Sequence, residues 1–322
     1  MRKIAVLTSG GDAPGMNACI RAVVRSGIHR NLDVIGIRRG YSGLLSEEYF
    51  RLNRRAVANI IQRGGTILES SRCEEFKSIT KRKKGIRFLE REGIEGLIVI
   101  GGEGTFHGAA AIAEESEINI IGVPATIDND VYGTDYTIGF DTAINTALEA
   151  IDRIRDTADA FERVFFVEVM GKLSGFIALE VGLGGGAEEI IVPEKETDLE
   201  KLCSVLRESF RRGKRSSIVV VAEGNEVDRT MQMAHYVQHR LKISSRACIL
   251  GHLQRGGAPT ARDRVLATKL GIAAVDGIIK GKHGHTVGER KGEIVYIPFH
   301  ETWEKKKKLD KYSLESHKVL SG

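Results

Sequence analysis

Ile118-Asn119-Ile120-Ile121-Gly122-Val123-Pro124-Ala125-Thr126-Ile127-Asp128-Asn129-Asp130 decides how this chain is read. The apolar run 118–123 reads as a buried strand. Two carboxylates, Asp128 and Asp130, follow where that strand emerges from its sheet. Open α/β sheets bind ligands at the carboxyl ends of their strands. Paired carboxylates there suit two tasks: holding Mg²⁺ through oxygen ligands, and taking a proton from a hydroxyl. A lone Asp-x-Asp is more often a solvated loop, so the rest of the chain has to decide.

The same alternation runs through nearly all of the sequence. Short Val- and Ile-rich runs predict strands at 4–8, 33–37, 96–100, 118–123, 164–170, 189–192, 218–222 and 246–250. Amphipathic periodicity predicts helices at 16–29, 105–115, 142–157, 198–212, 228–241 and 260–279. This is the βαβ signature of an α/β fold, with a mostly parallel sheet covered on both faces. Segment 286–298 differs: Gly292 separates two β-type runs, which predicts a hairpin. There is no fixed-period repeat and no low-complexity linker.

Composition narrows the class. At 322 residues there is room for two domains, and 42% hydrophobic with 28% charged residues is globular. No apolar run approaches the roughly 18 residues of a membrane span. The opening apolar run is too short for a signal-peptide core and reads as a first strand. Four scattered cysteines form no CxxC pair, which fits free thiols in a reducing cytosol. The net charge of +5 comes without an aromatic-interleaved basic stripe, so anionic metabolites fit better than nucleic acid. Lys305 to Lys308 read as a solvated C-terminal face. His235, His239, His283 and His285 lack the partners of a metal motif and read as surface residues.

Three glycine-rich turns follow predicted strands: Ser9-Gly10-Gly11-Asp12-Ala13-Pro14-Gly15-Met16-Asn17, Gly101-Gly102-Glu103-Gly104-Thr105 and Gly251-His252-Leu253-Gln254-Arg255-Gly256-Gly257. Such turns let backbone N–H groups approach phosphate oxygens, with a helix N-terminus behind them. Any one could be a plain tight turn. Together with Thr126-Ile127-Asp128-Asn129-Asp130 they point to a common crevice. Arg72, Arg163 and Arg246 add guanidinium forks suited, as a set, to clamping phosphate. Met170-Gly171-Lys172 and Glu223-Gly224 end two further strands.

Over nearly its whole length the chain resembles the bacterial 6-phosphofructokinase family. The resemblance is carried, in order and spacing, by Gly10 through Ala18, Pro124 through Asp130, Gly133-Thr134-Asp135, Val169-Met170-Gly171 and Gly251 through Gly257. It implies two similar three-layer α/β/α domains with mostly parallel sheets, the active site in the cleft between them, and a homotetramer. The implied division is 1–139 plus 252–304 for a larger ATP-binding domain, and 140–251 plus 305–322 for a smaller fructose 6-phosphate-binding domain. ATP would lie against Gly11, Tyr41, Arg72, Cys73, Gly102, Glu103, Gly104 and Thr105. Fructose 6-phosphate would meet Thr126, Ile127, Asp128, Met170, Gly171, Lys172, Glu223, His252 and Arg255, with Arg163 and Arg246 reaching its 6-phosphate from a neighbouring subunit. Asp128 would be the base, Glu103 and Asp130 would hold Mg²⁺, and Arg72, Thr126 and Lys172 would steady the transferring group. An effector site for ADP or phosphoenolpyruvate would use Arg21, Arg25, Arg54, Arg155, Arg212, Lys214 and Arg215. His107 would line the adenine pocket. The location would be cytoplasmic.

Three departures from the most familiar members stand out. Glu103 replaces Asp, keeping the charge but adding a methylene. Lys172 replaces Arg and offers no fork. The third concerns the phosphoryl donor. Pyrophosphate-using members typically carry Asp at the position of Gly104 and Lys at that of Ala125. Two small residues here leave room for an α-phosphate, which favours ATP over pyrophosphate.

Overall fold

The computed structural model describes residues 1–158, 160–226 and 228–320. The chain divides into two units: 1–142 with 255–307, and 143–254 with 308–322.

In the first unit the chain runs β1 (Lys3–Thr8), α1 (Met16–His29), β2 (Asp33–Ile37), α2 (Gly40–Ser46), β3 (Tyr49–Leu52), α3 (Ile79–Arg91), β4 (Gly96–Gly101), α4 (Glu103–Glu115) and β5 (Asn119–Pro124). Helix α5 (Phe140–Ala158) then leads into the second unit. That unit holds β6 (Arg163–Val169), α6 (Phe176–Gly184), β7 (Glu189–Ile191), α7 (Leu199–Arg211), β8 (Ser216–Ala222), α8 (Arg229–Leu241) and β9 (Ser244–Ile249). The chain returns to the first unit for α9 (Ala261–Ile279), β10 (His285–Arg290), β11 (Glu293–Pro298) and α10 (Glu301–Glu304), and ends in the second with α11 (Lys311–Leu320). No described helix is long and apolar enough to cross a membrane.

The first sheet has the order β11-β10-β5-β4-β1-β2-β3. It is parallel except at its two ends, where β3 and β11 run antiparallel to their neighbours. Burial on both faces explains the near-continuous apolar runs: every residue of β4 is buried. Phe88, Phe106, Leu89 and Ile120 are among the residues that fill the core on one face of this sheet. The hairpin expected around Gly292 is present, with Lys291 and Gly292 both at positive φ (52° and 83°) as a two-residue turn of the mirror-image kind requires.

The second sheet, β7-β8-β6-β9, is parallel throughout. Helix α7 starts where the Asp198 carboxylate accepts the Lys201 N–H at 2.9 Å.

Two readings are corrected. Lys307 is not part of a solvated face: its Nζ donates to the Asp135 carbonyl at 2.7 Å, while Lys305, Lys306 and Lys308 stay exposed. His283 and His285 are half-buried and bonded to backbone, with His283 Nδ1 accepting the Ile120 N–H at 3.3 Å.

Candidate active site

In each sheet the strand order reverses at one point, and some of the predicted site residues follow the strands that end there. In the first unit β1 lies between β2 and β4, and the connections leave it in opposite directions. The crevice outside the carboxyl ends of such strands is where open α/β sheets take ligands. Here it is bounded by the loop 9–15 after β1, the start of α4 after β4, and the loop 125–130 after β5.

The first of these loops passes through Gly10 (φ 86°) and Gly15 (φ 109°), and the second caps α1. A side chain on Gly11 would collide with the Arg255 guanidinium, which fills that space. Arg255 Nε is buried and has no hydrogen-bond partner among the described residues. A guanidinium so placed is a waiting donor for an anion. Ser70 Oγ donates to the Gly10 carbonyl at 2.7 Å and draws the segment bearing Arg72 and Cys73 to this loop. Arg72 is exposed and Cys73 is half-buried.

Helix α4 points its N-terminus at the same crevice. Thr105 is buried and its Oγ1 donates to the Ser9 carbonyl at 2.9 Å, locking the second turn to the first. Tyr41 supports that helix from below: its hydroxyl donates to the Thr105 carbonyl at 2.6 Å and its ring stacks on Phe76 at 4.1 Å. With 4% exposure, the Tyr41 ring belongs to the core. Glu103 stands half-exposed in the first turn, with its carboxylate 3.7 Å from His107 Nε2. His107 in turn stacks on Trp303 at 3.9 Å. Gly104 faces open space, with nothing within 4 Å of where a Cβ would lie. Ala125, by contrast, is 1% exposed.

The loop after β5 is ordered by a residue the sequence did not single out. Asn129 sits at φ 53°, a left-handed conformation that Asn tolerates better than most residues. Its side chain is buried. Oδ1 accepts the Thr137 N–H at 3.0 Å and Nδ2 donates to the Asp135 carbonyl at 3.3 Å. Asp128 and Asp130, on either side, are half-buried. Thr126 Oγ1 accepts the Asp128 N–H at 3.3 Å, and its carbonyl takes the Thr137 hydroxyl at 2.6 Å. Ile127 is buried.

A second residue unseen in the sequence is Asp263. From α9 it caps the N-terminus of α5, accepting the N–H groups of Gly139 (2.9 Å) and Thr142 (2.8 Å). It is 1% exposed. Burial pushes its carboxyl above the usual range, although these hydrogen bonds pull the other way.

In the second unit β6 lies between β8 and β9. Met170-Gly171-Lys172, Glu223 and His252 follow the carboxyl ends of β6, β8 and β9 respectively. Gln254, fully buried, accepts the Met170 N–H at 2.7 Å, and Glu223 N–H bonds the Val169 carbonyl at 2.7 Å. Lys172 is exposed and held at φ 57°. Arg163 lies at the other end of β6, about 20 Å from Met170 by strand rise, with its guanidinium over the Phe161 ring. Arg246, near the start of β9, is likewise remote from that cluster within the unit.

The basic set is divided. Arg155 Nη2 donates to the Gly186 carbonyl at 3.0 Å, and Lys214 pairs with buried Glu188 at 3.1 Å, so both meet segment 185–188. Arg212 pairs with Glu208 at 3.0 Å. Between β7 and α7 lies a cavity of about 610 Å³ whose lining includes Arg212 and Lys214. Arg215 is exposed in the same unit. Arg21, Arg25 and Arg54 belong to the first unit.

Comparison with known proteins bears on this arrangement. A family model described as "Phosphofructokinase" matches residues 3–278. The chain is 55% identical over 321 residues, covering 100% of both chains, to "ATP-dependent 6-phosphofructokinase 1" of Thermus thermophilus. It is 50% identical over 321 residues, again with 100% of both covered, to "ATP-dependent 6-phosphofructokinase" of Clostridium novyi. The solved structure of Pichia pastoris phosphofructokinase in the T-state matches with a TM-score of 0.88 at 34% identity, over 94% of this chain and 35% of that one.

Proposed function

The chain belongs to the phosphofructokinase family, and from that premise we propose that it transfers the γ-phosphoryl group of ATP to the 1-hydroxyl of fructose 6-phosphate. The products are fructose 1,6-bisphosphate and ADP, a phosphotransferase step of glycolysis. The observation that carries this reading is the meeting of three loops, after β1, β4 and β5, at one switch point, with Asp128 half-buried among them.

The larger unit is read as the ATP-binding domain. The triphosphate lies against Gly11, Arg72, Cys73 and the N-terminus of α4 from Gly102 to Thr105, where the first-turn N–H groups and the helix dipole favour anions. Tyr41 shapes this side from beneath, through the Thr105 carbonyl. Fructose 6-phosphate is read as bound by Thr126, Ile127, Asp128, Arg255, Met170, Gly171, Lys172, Glu223 and His252.

Asp128 takes the proton from the sugar 1-hydroxyl. The O1–Pγ bond forms as the bond from Pγ to the bridging oxygen breaks, and ADP leaves with that electron pair. Phosphoryl transfer asks mostly for positioning and charge stabilisation. Arg72, Thr126 and Lys172 supply these on the transferring group, and the Asn129 clamp holds the base in register.

Glu103 and Asp130 offer hard oxygen donors of the kind Mg²⁺ prefers, and no cluster of three or more acidic, His or Cys ligands occurs among the described residues. An ion that keeps waters and substrate phosphates as ligands is commonly held by one or two carboxylates, so the donor set fits. Mg²⁺ held there would neutralise charge on the β- and γ-phosphate oxygens.

ATP as donor is supported by the names of the relatives and by the open space at Gly104. Arg163 and Arg246 are read as serving the 6-phosphate of a neighbouring copy in a homotetramer, which accords with their distance from Met170 within one unit. Arg155, Arg212, Lys214 and Arg215, with Arg21, Arg25 and Arg54, are read as an effector site for ADP or phosphoenolpyruvate. Glycolytic work goes with a cytoplasmic location. A coupled assay on the purified chain tests the reading: turnover of fructose 6-phosphate with ATP is expected, and turnover with pyrophosphate but not ATP would replace it by the pyrophosphate-dependent reaction.

A further inference from the structure

Within the lysine run 305–308, Lys307 alone is withdrawn from solvent. It is the last residue of the first unit, just before the chain crosses into the second. Its Nζ donates to the Asp135 carbonyl at 2.7 Å. That same carbonyl accepts Asn129 Nδ2 at 3.3 Å. A carbonyl oxygen has two lone pairs, so both donors can be served at once. Asn129 is the residue between Asp128 and Asp130, and it fixes their loop.

Other contacts hold the Asp135 segment in place. Lys291 N–H donates to Asp135 Oδ2 at 2.6 Å, and Asp135 N–H bonds the Glu289 carbonyl at 2.8 Å. Lys305 lies 5.5 Å from the Tyr132 ring centroid and pairs with Glu301 at 2.8 Å. The chain leaving α10 is thereby stapled across the back of the loop that carries both carboxylates. Burial draws the Lys307 ammonium down to about 8, against the opposing pull of Asp135 and Asp130, which places its charge in the field of both.

We propose that Lys307 is a positioning residue for the phosphoryl transfer: through the shared Asp135 carbonyl it fixes Asn129, and through Asn129 the direction of Asp128 and Asp130. The proposal rests on the functional reading above. A misplacement of about 1 Å in a catalytic group can cost on the order of a hundredfold, so a single charge-assisted hydrogen bond in this position has leverage on turnover.

The test compares Lys307→Met, Lys307→Arg and, as a control on an exposed neighbour, Lys306→Met. For Lys307→Met we expect kcat to fall about tenfold, the scale of one charge-assisted hydrogen bond, with KM for ATP and sugar within about twofold. Hydrogen exchange of the Thr137 amide, which Asn129 accepts, should quicken while the thermal midpoint stays near wild type. Lys307→Arg should recover most of kcat, and Lys306→Met should match wild type. Wild-type kcat in Lys307→Met would overturn the proposal. So would equal losses in the Met and Arg variants accompanied by a lowered midpoint, since that pattern belongs to a merely structural role. Unchanged Thr137 exchange would overturn it as well. If the wild-type chain itself failed to use ATP and fructose 6-phosphate, the functional reading would fall instead. The exchange measurement would still decide whether Lys307 holds the loop.

Discussion

The carboxyl ends of β1, β4 and β5 are tied together by buried, hydrogen-bonded side chains: Thr105 to Ser9, Tyr41 to Thr105, Asn129 to Asp135 and Thr137. The carboxyl ends of β6, β8 and β9 are organised differently. Gln254 and Ser174 anchor the backbone of Met170 and Gly171, while Lys172 and His252 stand exposed. Both crevices lie at a reversal of strand order, so topology alone does not distinguish them. What does is the chemistry each is read as serving. Charge stabilisation of a transition state works best from groups fixed in advance, because they need no reorganisation when the reaction occurs. Recognition of a sugar phosphate tolerates side chains that settle on binding.

The largest effect is expected at Asp128. Asp128→Ala should lose on the order of 10²–10⁴-fold in kcat, the usual scale for a general base, with KM changed far less. Near-normal turnover would remove the base from the first crevice. Next in size is Asp263→Ala, which strands two buried N–H groups at the head of α5. A loss on the order of 3 kcal/mol is expected from unsatisfied buried donors, read as a lower thermal or denaturant midpoint. Smaller effects are expected in the second crevice. His252→Ala should raise KM for fructose 6-phosphate about tenfold, as a lost hydrogen bond to the substrate does. A fall in kcat alone would show that the two crevices do not divide the work in this way.

The smallest effect is in pH. The folded carboxyl of Asp263 is raised above its unfolded value by burial. Its protonated form is therefore favoured in the folded state. The stability this contributes is fully present below the unfolded value of about 3.9. It is lost as pH rises through the raised folded value. Denaturant titrations of wild type and Asp263→Asn from acid to neutral pH should show that slope only in the wild type.

The strands and the glycine turns were legible because Val- and Ile-rich runs ending in Gly leave few alternatives to a βαβ reading. Asp128 and Asp130 were visible for the same reason, at the end of such a run. Asn129 was hidden between them. Its function is a left-handed backbone and two long-range hydrogen bonds, and neither leaves a mark on periodicity. Asp263 was masked by its own helix. In Thr260-Ala261-Arg262-Asp263 it looks like a local cap, and Thr260 does accept its N–H at 3.3 Å, yet its carboxylate serves amides over a hundred positions away. Lys307 was concealed in a run of like residues, where composition argues for solvent and only the fold picks out one member. Strand β3 is four residues long at the edge of its sheet and buries only Leu52, too short a run to be read.

The most direct measurement is steady-state turnover of the purified chain with fructose 6-phosphate and Mg²⁺, comparing ATP with pyrophosphate, for the wild type and Asp128→Ala in parallel. ATP-dependent formation of fructose 1,6-bisphosphate is expected of the wild type, with near-complete loss in the variant. Pyrophosphate-only turnover, or equal rates in the two proteins, would overturn ATP-dependent transfer with Asp128 as its base.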